Sequence, residues 1–326
     1  MDALNDTQRY FVEEHIEDFR DGLIGRRELI RRVAIVVGGT AAAATILAAC
    51  DLSPRSTTSP TAAAAAPSAS ATSVLIAQPF ATPPAAATTD GVTVRGSDPR
   101  ISVSKPEIKG TDGVSLMAYL ARPNAGSRVP GVMVIHENRG QTEHIRDVVR
   151  RAATAGFVAV NIDLTARQGG GEKLGDAVTG AIGNLALAQK LADHGAALAY
   201  LKANTSGAIG AVGFCFGGGE VWNLLAAGAD LKAAVPYYGP QPSNYQDIGT
   251  KTKAATLAVY AEQDARITSS SPQMEEQLKK AGVPNQISVY PGVNHAFHND
   301  TGSRYAPEAA QKAWVATIEW FRKYLV

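Results

Sequence analysis

The hexapeptide Gly213-Phe214-Cys215-Phe216-Gly217-Gly218 constrains this 326-residue chain more than any other stretch. Its Gly-x-nucleophile-x-Gly spacing fits a tight strand-to-helix turn that presents one reactive side chain, here a cysteine. Such a turn requires flanking positions nearly free of side chain, because neighbouring segments pack against them, and bulk at Gly213 or Gly217 would clash. The flanks agree: residues 208–212 read as a buried strand and 220–227 as the helix that follows. The competing reading is a glycine-rich turn whose small apolar cysteine is merely buried, a common fate of free cysteine.

Around this turn the hydrophobic pattern alternates. Strands are expected at 115–121, 131–135, 157–162, 233–235, 256–260 and 286–290, and helices at 143–155, 176–202, 271–281 and 307–324. Strands alternating with helices predict an α/β fold, a mostly parallel sheet covered on both faces, with ligands bound at the C-terminal strand ends. Cys215 follows such an end.

The composition, 45% hydrophobic and 19% charged with a formal net charge of +1, carries no polyelectrolyte bias, so nucleic acid is excluded as a partner. The notable basic cluster, Arg26-Arg27 and Arg31-Arg32, directly precedes residues 33–49, which carry no charge. That order predicts an export signal over residues 1–49. Arg26-Arg27-Glu28-Leu29-Ile30 resembles a twin-arginine export motif, and Leu47-Ala48-Ala49-Cys50 resembles a bacterial lipobox, which implies lipidation of Cys50 and a membrane-anchored enzyme outside the cytoplasm. The alternatives are an uncleaved membrane anchor, since the 17 uncharged residues 33–49 are marginally enough to span a bilayer, and a cytoplasmic protein. Residues 10–19 read as a short amphipathic helix with no assigned function, His15 being a solvated residue of it. Residues 50–96, rich in Ala, Ser, Thr and Pro, read as a tether, and 97–326 as the catalytic domain. The two cysteines, Cys50 and Cys215, fall in such different contexts that a disulfide between them is not expected.

A thiol nucleophile needs a base, and the base an orienting carboxylate. After Cys215 there are two histidines, His295 and His298. His295 follows a strand, in Asn294-His295-Ala296-Phe297, where the base of such a site belongs. Asp264, just past the strand at 256–260, is the candidate acid; Glu262, nearer the strand end, competes with it.

Together Gly213 to Gly218, Glu262-Gln263-Asp264 and Asn294 to Phe297 resemble the dienelactone hydrolases, or carboxymethylenebutenolidases, over residues 103–325. The resemblance implies the α/β-hydrolase fold and hydrolysis of a small carboxylic ester or lactone by a Cys215-His295-Asp264 triad through an acyl-cysteine, with no metal or cofactor. His136-Glu137-Asn138-Arg139-Gly140 resembles the family's glutamate-bearing loop, which implies that Glu137 holds the resting thiol. Asp163-Leu164-Thr165-Ala166-Arg167 resembles the segment whose arginine binds the substrate carboxylate, a role that falls to Arg167. An ion pair of Glu137 with Arg139 or Arg167, or a solvated Arg167, are the plain alternatives. The backbone N–H groups of Phe216 and Asn138 are implied as the oxyanion hole. Thr165 stands where the family has tyrosine, and His298 where authentic lactonases carry a second carboxylate-binding arginine. His298 is therefore a weaker substrate contact, because an imidazole cannot reproduce a bidentate fork. A broad-specificity esterase, or a lipid-tethered binding protein that keeps only the fold, remain the alternatives.

Overall fold

The structure is a computed structural model that describes residues 4–50, 52–53, 92–125 and 128–326. Its centre is an eight-stranded sheet: β1 (Ile101–Ser104), β2 (Ala118–Pro123), β3 (Gly131–Ile135), β4 (Val158–Ile162), β5 (Ile209–Phe214), β6 (Ala233–Tyr237), β7 (Ala255–Ala261) and β8 (Asn285–Tyr290). The spatial order is β1-β2-β4-β3-β5-β6-β7-β8, with β1 and β2 antiparallel and the remainder parallel. Every residue of β3 to β7 is buried, as expected of parallel strands covered on both sides.

The first three helices are α1 (Asp6–Arg20), α2 (Arg26–Val37) and α3 (Thr40–Ala48). Those of the sheet layers and their connections are α4 (Glu143–Thr154), α5 (Gly171–Leu174), α6 (Val178–Gly183), α7 (Leu187–Asn204), α8 (Phe216–Ala227), α9 (Ile248–Lys251), α10 (Ala265–Thr268), α11 (Ser271–Ala281) and α12 (Pro307–Leu325). Two glycines show how closely the layers approach. A Cβ on Gly131 would lie 2.8 Å from Ile209 and 3.2 Å from Leu201 of α7, and one on Gly210 would lie 2.8 Å from Phe321 of α12. Because neighbouring strand residues face opposite ways, α7 and α12 cover opposite faces of the sheet.

The main strands and helices match the sequence pattern to within a few residues, the short helices α5, α9 and α10 are not among those expected, and two further departures have a local cause. The edge strand β1, only four residues long, has too little alternation to stand out. The helix expected over 176–202 is broken between Gly183 and Leu187, where the Asn184 side chain bonds back to the Gly180 carbonyl at 2.8 Å. Gly180 also lies so close to α2 that a Cβ there would sit 2.3 Å from the Ile35 carbonyl oxygen.

The N-terminal helices pack against the rest of the chain, α1 and α2 both meeting α6. Asn5 and Gln8 form a reciprocal capping box that starts α1, and its apolar stripe, Tyr10, Phe11, Val12 and Ile16, is buried. His15, expected to be solvated, is buried in the same face. The uncharged run 33–49 is not one helix: Gly38, at φ 84°, ends α2, and α3 leaves at 113° to it. Among the described residues no single helix is long and apolar enough to cross a membrane, although α2 and α3 together pass by length and composition. Most of the predicted tether, residues 54–91, lies outside the described residues.

Candidate active site

Cys215 lies between β5 and α8 with φ 57° and ψ −120°, a backbone state that costs a non-glycine residue about 1–3 kcal/mol. The turn is held by close packing of backbone on backbone. A Cβ on Gly213 would lie 2.1 Å from the Gly217 carbonyl oxygen, one on Gly217 2.4 Å from that of Ile135, and one on Gly218 2.3 Å from that of Tyr237. Any side chain there would push the sulfur out of place. The Cys215 N–H donates to the Tyr237 carbonyl at 3.1 Å, which ties the turn to β6.

His295 comes from the loop after β8. Its Nδ1 donates to Asp264 Oδ2 at 2.6 Å, and both side chains are buried. Burial raises the Asp264 pKa, but the charge and hydrogen bond of His295, with help from Arg266, outweigh it and leave the carboxyl below its ordinary value. Glu262, the competing acid, is exposed and instead accepts from the Gly292 N–H at 2.8 Å, bracing the loop that carries His295. With Nδ1 donating to Asp264, Nε2 is the acceptor that faces the nucleophile.

The loop after β3 forms a second wall. His136 donates from Nδ1 to the Glu137 carbonyl at 2.7 Å and stacks on Phe216 at 5.9 Å. Glu137 is buried; its Oε2 accepts from Asn299, while Oε1 has no hydrogen-bond partner among the described residues. Burial raises its pKa above the ordinary carboxyl value.

Two residues that sequence reasoning missed complete the centre, both from α1. The Tyr10 hydroxyl lies 3.2 Å from Cys215 Sγ and 3.3 Å from His295 Nε2, and the thiol donates to the Glu14 carboxylate at 3.6 and 3.7 Å. Asn138 holds that carboxylate with its side-chain amide at 3.1 Å. Glu14, not Glu137, is thus the carboxylate hydrogen-bonded to the thiol. Burial pushes the thiol pKa well up, and Glu14 and Glu137 add to this, against smaller opposing effects of Tyr10 and the Phe216 N–H. Only the amphipathic pattern of residues 10–19 hinted at a folded role for this segment. Donor atoms of Glu14, Cys215 and His295 lie within 4.8 Å of one another, a set able to hold a metal, but the Tyr10 hydroxyl competes for that space.

A cavity of about 680 Å³ opens beside the sulfur, lined by Cys215, His295, Glu137 and Asn138 on one side and by α1 and α2 on the other. Arg167 and His298 do not line it. The Arg167 guanidinium is held in forks by Asp112 at 2.7 and 2.9 Å and by Asp193 at 2.6 and 2.9 Å, which leaves it committed to structure. His298 is buried behind the site, stacked 4.8 Å from Phe214, and burial holds its imidazole well below its ordinary pKa. Thr165 is also buried, with its hydroxyl donating to Asp163 at 2.6 Å.

Known proteins share this arrangement of chain. A protein of Methylorubrum extorquens provisionally named a carboxymethylenebutenolidase is 33% identical over 269 residues, covering 78% of this chain and 91% of its own. One from Escherichia coli K12 with the same provisional name is 34% identical, covering 66% of this chain and 84% of its own. The crystal structure of a provisionally named dienelactone hydrolase from Klebsiella pneumoniae superposes with a TM-score of 0.63 at 31% identity, covering 69% of this chain and 99% of its own. The family model for the dienelactone hydrolase family matches residues 116–325, and the chain belongs to that family.

Proposed function

We propose that this hydrolase of carboxylic ester or lactone bonds works through an acyl-cysteine formed on Cys215. The observation that carries the reading is the alignment of Asp264, His295 and the strained Cys215 turn, with His295 Nδ1 fixed at 2.6 Å from the carboxylate and Nε2 turned inward. His295 Nε2 takes the thiol proton as sulfur attacks the ester carbonyl carbon. The oxyanion forms against the backbone N–H groups of Phe216 and Asn138, where a lost donor typically costs about 100-fold or more in rate. The C–O bond breaks as the imidazolium returns the proton to the leaving alkoxide. Water, deprotonated by the same nitrogen, then cleaves the thioester to the acid and the free thiol. Asp264 fixes the tautomer and stabilises the imidazolium. Substrate is a small ester or lactone that reaches Cys215 and His295 along the β3 loop, beside Glu137 and Asn138. The decisive experiment is hydrolysis of aryl esters and enol-lactones before and after Cys215→Ala, in the full chain and in a chain whose α1 is displaced from the sulfur: turnover should be lost with the thiol, and an equally active variant would refute the reading.

The proposal extends to location. Arg26-Arg27, the uncharged run 33–49 and Leu47-Ala48-Ala49-Cys50 support export and lipidation at Cys50. In a bacterial host the chain should take up labelled fatty acid and fractionate with membranes, and Cys50→Ala should do neither. Unchanged labelling of that variant would contradict the assignment.

A further inference from the structure

The same α1 that completes the centre also obstructs it. In the acyl-cysteine reading, a substrate carbonyl must approach Cys215 Sγ while the leaving oxygen approaches His295 Nε2. The Tyr10 hydroxyl is within 3.3 Å of both atoms and so holds the one position that must face sulfur and base together. Its hydroxyl satisfies the Nε2 lone pair that would otherwise take the thiol proton, and Glu14 accepts from the thiol itself. Cys215 is left 2% exposed.

This placement is held from several sides. Phe11 packs edge-on against Phe216 at 5.5 Å, and the Arg266 guanidinium lies 4.9 Å from the centre of the Tyr10 ring. Lys190 reaches Thr7 at 2.8 Å, the Asn5 side chain donates to the Gly183 carbonyl at 2.9 Å, and Arg304 bonds Asp18 at 2.8 Å and Asp21 at 2.7 Å. The hydrogen bonds among these ties are part-buried polar contacts that water can replace when the helix leaves, and the buried stripe Tyr10, Phe11, Val12 and Ile16 supplies the rest of the docking.

We propose that α1 is a built-in blocking element: Tyr10 and Glu14 stand in the place of substrate over Cys215, and the hydrolase is latent until α1 withdraws or is removed. The segment read as an export leader contains α1, so a cut before Cys50 would release the site. The proposal takes Cys215 as nucleophile from the reading above, but its first test needs no turnover.

In the full chain, the rate at which iodoacetamide alkylates Cys215 is followed by peptide mass spectrometry, with Cys50 resolved separately. Tyr10→Ala/Phe11→Ala should undock α1, seen as new proteolytic cuts within residues 6–20, and speed alkylation of Cys215 at least about tenfold. An undocked variant that alkylates at the wild-type rate would overturn the proposal. If that variant does not fold, Arg304→Ala loosens the same helix from its far end and should change the rate in the same direction; no change or a slower rate counts against blocking. Ester hydrolysis should rise with alkylation in each variant. Faster alkylation without hydrolysis would leave the block standing and refute the acyl-cysteine reading instead. Loss of hydrolysis in Tyr10→Phe, with α1 still docked, would make Tyr10 a catalytic group and overturn the block.

Discussion

His295 Nδ1 and Asp264 Oδ2 lie 2.6 Å apart, the shortest link between the base and the rest of the centre, and both side chains are almost fully enclosed. In such surroundings the carboxylate decides which ring nitrogen carries the proton. Asp264→Asn keeps the shape but supports the wrong tautomer, and should lower kcat by about 10³–10⁴-fold with little change in KM. Steady-state kinetics on a small aryl ester would check this. Glu262→Gln, at the braced loop, should leave kcat within a few-fold of wild type.

The strained turn makes a stability prediction. Ala at Gly213 or Gly217 would place a methyl 2.1 or 2.4 Å from a carbonyl oxygen on backbone that cannot retreat. Each substitution should cost about 3 kcal/mol or more. Denaturant titration would measure it, and a loss under 1 kcal/mol would mean the turn has more room than its geometry shows.

Arg167 should matter for stability rather than for substrate. It neutralises Asp193, which is fully buried, and removing one partner of such a pair typically costs about 3–5 kcal/mol. Arg167 is itself partly exposed, so the lower end is expected for Arg167→Met. KM for esters with and without a free carboxylate should shift equally. A selective rise for the carboxylate-bearing ester would place Arg167 at the substrate.

The thiol's surroundings set a pH dependence. Burial first, then Glu14 and Glu137, raise the Cys215 pKa above the ordinary thiol value of about 8.5. A raised pKa means the docked form binds the proton more tightly than the open one. Docking is therefore at full strength below the ordinary thiol range and weakens as pH rises through the docked value. The pH midpoint of Cys215 alkylation should lie above 8.5 in the wild-type chain and fall when α1 is undocked by Tyr10→Ala/Phe11→Ala. Equal midpoints would contradict the part assigned to α1.

What was legible in the sequence follows from what is local. The Gly213 to Gly218 turn, the strands of the parallel sheet and the position of His295 one loop after β8 are each encoded within about ten residues by backbone sterics and hydrophobic pattern. The arrest of Arg167 by Asp112 and Asp193 depends on partners distant in the chain, and no local pattern announces it. The same holds for His298, whose stacking on Phe214 brings the loop after β8 against the end of β5. Residues 6–48 were hardest, because a basic cluster before an uncharged run reads as a leader whether or not it also folds. The amphipathic pattern of residues 10–19 is the signal of structure within it; the Asn5-Gln8 capping box that starts α1 and Gly38, which ends α2, emerge with the fold.

The most direct measurement is the mass of the enzyme during turnover. The chain with α1 undocked by Tyr10→Ala/Phe11→Ala, mixed with an activated acetate ester and quenched in acid within the first turnover, should carry one acetyl group on the Cys215 peptide and none on the Cys50 peptide. The group should persist longer in Asp264→Asn. Product release with Cys215 unmodified at every quench time, and retained in Cys215→Ala, would contradict the acyl-cysteine account.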